Sequence, residues 1–320
     1  MSVLFGFPTH LYHCLLDEQP HYLVPQRLLR QHAPSADLVV NPRCWFSWHG
    51  PLPPEKVVRV AFAEHMCPSD WVVWVDDPAT NIIWPFWAGY EHFGYLREMS
   101  PGYPAPMALP ENVEWVLREA NILVEPNYEA HRRSEWLHAV KESSRQFERG
   151  YTTLTDFIHP FHIGALRRYY RYHTRIGSFS YGDAQVERRY VAPNEAVARF
   201  CHFQFMHLVS DVATIVVKPS YAYFVAYQSN AELRPHTDRE QCEYSITICV
   251  DASPEPQAQN PWPLVLQTAD GVLKVWQHIG DGLLYRGRYL PHSREQLPHG
   301  YSSSSLLLHY VDEGFTGTLQ

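Results

Sequence analysis

From Tyr221 onward the chain is cut into short apolar runs by turn residues, and this rhythm narrows the folds open to it. Tyr221 to Tyr227 is aromatic and apolar enough for a strand, with Ser229-Asn230 as its turn. In Glu243 to Val250, Tyr244, Ile246, Ile248 and Val250 alternate with Ser245, Thr247 and Cys249, the period of a half-buried strand. Further runs follow at Pro263 to Thr268, Val272 to Trp276, Leu283 to Arg286 and Ser304 to Val311, with Gly280-Asp281-Gly282 as a turn. Many short strands with regular turn signals predict a β-sandwich or jelly roll.

Such a fold brings distant strand ends together, which gives meaning to His236-Thr237-Asp238 and to His292, 54 residues after Asp238. Two imidazoles and one carboxylate can occupy one face of a metal and leave the opposite face open, the arrangement of non-haem iron(II) oxygenases. A single His-x-Asp is weak in a chain with 19 histidines. His299, between Pro298 and Gly300, reads as a loop residue, and His309 sits inside the last strand as a packed histidine.

The neighbourhood of these residues resembles the iron(II)/2-oxoglutarate dioxygenases of the prolyl-hydroxylase-like group, over residues from about 150 to 315. The matching pieces are Asp156 to Pro160 opening a helix, Tyr227 nine residues before His236, and His236-x-Asp238. Gly280-Asp281 leading into His292 and the closing strand Leu306 to Tyr310 complete them. The resemblance implies a double-stranded β-helix core buttressed by helices, an α+β chain overall. It also implies Fe(II) on His236, Asp238 and His292, with 2-oxoglutarate and O2 as cosubstrates. The reaction implied is hydroxylation of an unactivated C–H, with release of succinate and carbon dioxide. Related halogenases carry a small residue where Asp238 stands, so hydroxylation, or desaturation or cyclisation, is preferred over halogenation. The substrate class stays open between a peptide side chain, an amino acid and a natural-product intermediate.

One departure stands out. That family usually carries a basic residue about ten positions after the distal histidine, to hold the far carboxylate of 2-oxoglutarate. Here the window is Tyr301 and Ser302 to Ser305. A dianion in an apolar barrel needs a cation or several donors. Arg294 is the first choice, with Arg286 and Arg288 behind it. Tyr227 and the serine hydroxyls, Ser303 among them, add donors. The missing cation modestly favours a cupin-like metal enzyme, an isomerase or hydrolase using zinc or manganese. A jelly roll that binds without turnover is a third class, which an intact triad argues against. Trp276 and Tyr285 read as core aromatics, and Arg239 and Glu240 as solvated charges.

With 45% hydrophobic residues the chain is globular. A net charge of −8 without a basic block gives no nucleic-acid surface. No apolar run of about eighteen residues suggests a membrane span. The six cysteines, at 14, 44, 67, 201, 242 and 249, form no Cys-x-x-Cys pair and read as free thiols of a cytoplasmic protein.

The first 110 residues read differently. Apolar runs at Val3 to Phe7, Ala36 to Val40 and Trp71 to Val75 alternate with helical spacing at Tyr22 to His32 and Pro54 to Met66. Strand, helix, strand, helix, strand predicts a small α/β unit with parallel strands. Asp76-Asp77 reads as a strand-ending turn rather than a metal site. Trp45, Trp48, Trp84 and Trp87 fall in expected loops, where core packing and substrate or partner contact weigh equally. Packing, homodimer formation and recognition of a small-molecule or peptide substrate are the roles open to this region. Ser100 to Pro110, with four prolines in eleven residues, reads as a linker into 111–320. Helices are expected at Glu111 to Glu119, Tyr128 to Arg149, Pro160 to Tyr172 and Asn194 to Ser210, before strands from about 221.

Overall fold

The computed structural model describes residues 11–16, 23–66, 71–106, 108–256 and 262–319. The run Val3 to Phe7, Tyr22 and Cys67 lie outside the described residues. The chain divides into two compact units: residues 1–138 with 159–172, and residues 139–158 with 173–320. The proline-rich segment 100–110 lies inside the first unit.

In the first unit the strands are β1 (Val39–Val40), β2 (Cys44–Phe46), β3 (Val72–Asp76), β4 (Ile83–Trp87) and β5 (Leu123–Val124). β2, β3 and β4 form one antiparallel sheet, and β1 pairs antiparallel with β5. The parallel α/β expectation is therefore corrected. Residues 77–82 between β3 and β4 make a hairpin, whereas a parallel crossover needs roughly a dozen residues or more. The expected helix Pro54 to Met66 is one α turn, α1 (Pro54–Val57), followed by 3-10 turns. β-Branched Val57, Val58 and Val60 stiffen this stretch against helix, and Phe62 takes a left-handed backbone (φ 66°) that breaks it. Around Pro25 the expected helix is a single 3-10 turn, Gln26–Leu28.

The tryptophans expected in loops are corrected too: Trp45 lies in β2, and Trp84 and Trp87 in β4. Trp84 is buried and stacks on His162 at 4.2 Å. Asp76 ends β3 under Arg43, Lys56 and Arg59, and Asp77 pairs with Arg132. Both carboxylates serve as anchors for cations. Helices α2 (Gly89–Leu96) and α3 (Glu111–Glu119) complete the unit, and α4 (Pro126–Phe147) runs out of it.

The second unit holds the predicted jelly roll. After β6 (Tyr151–Leu154) the chain passes through α5 (Pro160–Arg175), whose residues 160–172 belong to the first unit, and then come β7 (Ser180–Tyr181) and β8 (Arg189–Pro193). Two helices follow, α6 (Ala196–Gln204) and α7 (Met206–Ala213), where one was expected. Glu195 caps α6 by accepting the Val197 and Ala198 amides, each at 3.1 Å. Eight strands then alternate between two sheets. β9 (Val217–Tyr227), β11 (Tyr244–Ser253), β14 (Gly282–Tyr285) and β16 (Ser302–Asp312) join the larger sheet, in the order β14-β11-β16-β9. β10 (Leu233–His236), β12 (Leu264–Thr268), β13 (Gly271–Val275) and β15 (His292–Arg294) form the smaller one, in the order β10-β15-β12-β13. Every pairing is antiparallel. This order is a double-stranded β-helix. β6 extends the larger sheet at one edge, and β8 and β7 extend it at the other.

β11 is buried from Tyr244 to Ala252, not on one face only. Its Ile246 side meets Phe157 beside Gly282, while Ser245 and Thr247 turn inward toward the second sheet. α6 packs on β9 and β16, which closes the outer face. β11 is thus covered on both faces, and its inward-facing polar side chains need partners.

Candidate metal centre

His236 is the last residue of β10 and His292 the first of β15, and the two are directly opposed in that antiparallel pair. Register alone brings them together, with ring centroids 4.3 Å apart. Asp238 lies two residues beyond the strand, where its amide donates to the Gly287 carbonyl at 2.9 Å. Its Oδ1 lies 3.5 Å from Nε2 of His236 and 3.5 Å from Nε2 of His292. The three donor atoms all fall within 4.8 Å of one another.

Both rings are set for ligation. Nδ1 of His236 donates to the Arg234 carbonyl (2.9 Å), and Nδ1 of His292 to the Leu290 carbonyl (3.0 Å). A carbonyl only accepts, so Nδ1 carries a proton in each ring; Nε2 of His292 presents a lone pair to the centre, and Nε2 of His236 does so once it gives up the proton it shares with Asp238. Burial lowers the His292 pKa and keeps that ring neutral. Burial also opposes charge on His236, but the Asp238 carboxylate and the Arg234 carbonyl outweigh it and raise its pKa. For Asp238, burial favours the neutral acid. The hydrogen bond from His236 and the nearby imidazoles of His309, His292 and His236 outweigh it and hold the carboxyl at about 2. The set is a carboxylate with two orientable imidazoles, which suits iron(II).

Around the centre, Ser245 Oγ lies 3.4 Å from Asp238 Oδ2 and 2.8 Å from Nδ1 of His309. Asp238, Cys242 and His309 form a second convergent group. Burial pushes the Cys242 thiol up to about 12, and its sulfur lies 3.1 Å from the Tyr221 hydroxyl. His309 is engaged by Ser245, and His299 is exposed near Ser229 (3.3 Å).

The centre opens into a cavity of about 170 Å³. That is many times the roughly 10–15 Å³ needed for one water. Arg294, Tyr227 and Tyr285 line it; Ser303 does not, although Ser305 on the same face of β16 does. Arg294 is 4% exposed. It lies over the Trp262 ring at 4.7 Å and donates to the Trp262 carbonyl at 2.5 Å. Among the described residues no carboxylate pairs with it, and burial lowers its pKa. Arg286 and Arg288 are exposed and lie against Phe147 and Tyr289.

Two residues sit otherwise than the sequence suggests. Tyr285 is buried, but its hydroxyl reaches into the cavity, 3.5 Å from Nε2 of His292. Trp276 is 41% exposed rather than core. Arg239 is an exposed charge, as expected, although it also lines the cavity, with its guanidinium over Tyr221 at 5.3 Å. The sequence reading missed Arg189 on β8, a buried guanidinium of the same cavity. Its only signal was the short apolar alternation after Arg188-Arg189, closed by Pro193.

No protein-family model matches the chain, and no curated protein matches it. Solved structures that align with it include a Pseudomonas putida prolyl-4-hydroxylase, at 17% identity and TM-score 0.45, over 55% of this chain and 100% of that one. AviO1 from Streptomyces viridochromogenes aligns at 18% identity and TM-score 0.45, over 56% and 97%. HygX from Streptomyces hygroscopicus, with nickel and 2-oxoglutarate bound, aligns at 13% identity and TM-score 0.43, over 55% and 88%. At these values the function of this chain has to be read from its own site.

Proposed function

We propose that the chain is an iron(II)- and 2-oxoglutarate-dependent oxygenase. The observation that carries this reading is Arg294, a buried guanidinium without a carboxylate partner in the same cavity as His236, Asp238 and His292. A buried charge without a counter-ion is costly, and an anionic ligand supplies the missing partner. A hydrolase or isomerase acting with the metal on a neutral substrate would leave that cation unmatched.

In this reading His236, Asp238 and His292 would hold iron(II). Iron(II) bound there would activate O2, with 2-oxoglutarate giving up two electrons as it becomes succinate and carbon dioxide and takes one oxygen atom, and the substrate C–H giving the other two as it takes the second. Arg294 holds the far carboxylate of 2-oxoglutarate by charge-assisted hydrogen bonds, and the Tyr227 hydroxyl adds a donor. Leu264, Leu307 and Tyr285 wall the cavity and keep water from the reacting groups. Asp238 stays in place as a ligand, so the product we assign is an alcohol rather than a halide. The substrate class is a peptide side chain, an amino acid or a natural-product intermediate.

The test is anaerobic calorimetry of full-length protein with 2-oxoglutarate, with and without Fe(II). One-to-one binding that requires the metal and is weakened about ten- to a hundredfold in Arg294→Met is expected. Absence of binding to the iron-loaded protein refutes the assignment.

A further inference from the structure

The second buried arginine of the cavity, Arg189, is held by a short relay. The turn amides of Gln185 and Val186 donate to Asp183 Oδ1, at 3.0 and 2.8 Å. Asp183 Oδ2 then accepts Nε and Nη2 of Arg189, at 2.9 and 2.6 Å. This fork leaves Nη1 to donate to the Tyr227 hydroxyl at 3.1 Å. Arg189 and Tyr227 are register partners on β8 and β9, so the sheet itself sets the contact. Tyr227 is 2% exposed, packs edge-on against Trp262 at 4.8 Å, and shares that ring with Arg294.

A phenol has one proton to give, and a guanidinium only donates. With Arg189 on its oxygen, the Tyr227 hydroxyl turns its proton elsewhere, and among the described residues no acceptor takes it. Both Tyr227 and Arg294 line the cavity. We propose that Arg189 is a positioning residue that commits Tyr227 to donating into the cavity, so that Tyr227 and Arg294 form a donor-only clamp that takes a carboxylate and rejects a carboxamide. The inference rests on the 2-oxoglutarate reading and extends it to how the cosubstrate is told from its neutral analogues. A clamp whose two groups both donate leaves the N–H groups of an amide held there unmatched, which penalises binding.

The experiment is anaerobic calorimetry on full-length, Mn(II)-loaded protein with 2-oxoglutarate and with its 5-carboxamide. The proteins are wild type, Arg189→Met, Tyr227→Phe and the double variant. Wild type should prefer the acid by about ten- to a hundredfold, the range of a charge-assisted hydrogen bond. Arg189→Met should shrink that preference severalfold with Mn(II) affinity unchanged, and should add nothing in the Tyr227→Phe background. Equal weakening of both ligands by Arg189→Met, or a full additional loss in the double variant, overturns the inference. If wild type binds neither ligand, the 2-oxoglutarate reading falls and the inference falls with it. If wild type binds 2-oxoglutarate and Arg189→Met keeps the full preference, only the inference falls. Should Arg189→Met fail to fold, Arg189→Lys serves with the same expectations. Its single ammonium faces Asp183 but lacks the fork that spans Asp183 and Tyr227 together.

Discussion

The α-carbon of Gly287 faces the Asp238 carboxylate so closely that a methyl group at 287 would collide with Oδ2, and with Ser245 Oγ beside it. The Gly287 carbonyl also accepts the Asp238 amide at 2.9 Å. Gly287 therefore shapes the metal centre although it supplies no ligand.

Gly287→Ala is expected to displace Asp238 and to weaken metal binding by roughly 10–100-fold, the usual cost of disturbing the support of a ligand. The protein should stay folded, because the clash falls on side-chain oxygens at the cavity. Mn(II) titration alongside circular dichroism checks this, and wild-type affinity in Gly287→Ala would refute it.

His236→Ala, Asp238→Ala and His292→Ala should each lose more metal affinity than Gly287→Ala, since each deletes one of three donors. His299→Ala should bind metal normally, because His299 is exposed. A large loss in His299→Ala would move the ligand assignment away from β15.

The ligand set was readable because its residues sit at strand ends that short apolar runs already marked. His236 closes one strand and His292 opens another, so predicting the jelly roll predicted their meeting. Arg294 follows from the same strand, since alternate residues share a face. Gly287 and Arg189 were not readable. Their importance comes from approach across the sheet, which no spacing along the chain records. The first unit was misread for a related reason. Ala36 to Val40 and Trp71 to Val75 are strands in either pairing direction, and only the short link 77–82 argues for a hairpin. Ser245 and Thr247 suggested a solvent-facing side on β11, whereas both are buried facing the interior of the barrel.

Arg294→Met should separate function from stability. The side chains are similar in volume, and the cation it removes is buried without a carboxylate partner. The metal-loaded protein should bind 2-oxoglutarate about ten- to a hundredfold more weakly, as the loss of a charge-assisted contact implies. The metal-free protein should be as stable as wild type or more so. Arg286→Ala is the exposed control and should leave binding unchanged. Urea melts and 2-oxoglutarate titrations check both halves; a defect confined to Arg286→Ala would place the cation on the preceding segment.

Acid should loosen the helical buttress. Burial holds His202 at about 3, although its Nε2 reaches the His309 carbonyl at 2.6 Å. An unfolded histidine titrates near 6.5. Between these values the unfolded chain binds the proton and the folded chain does not. Stability is therefore full above about pH 6.5 and declines as pH falls toward 3. His202→Gln should flatten the decline between about pH 6.5 and 5, above the ordinary carboxylate range. Urea midpoints across that window check it, and an unchanged slope would contradict it.

The most direct test is succinate formation. Purified full-length protein given Fe(II), 2-oxoglutarate and O2 should release succinate and carbon dioxide in equal amounts, slowly without substrate. That release should stop in Asp238→Ala and fall sharply in Arg294→Met. Intact 2-oxoglutarate after prolonged incubation of iron-loaded wild type in O2, or succinate formed equally well by Asp238→Ala, would contradict the assignment.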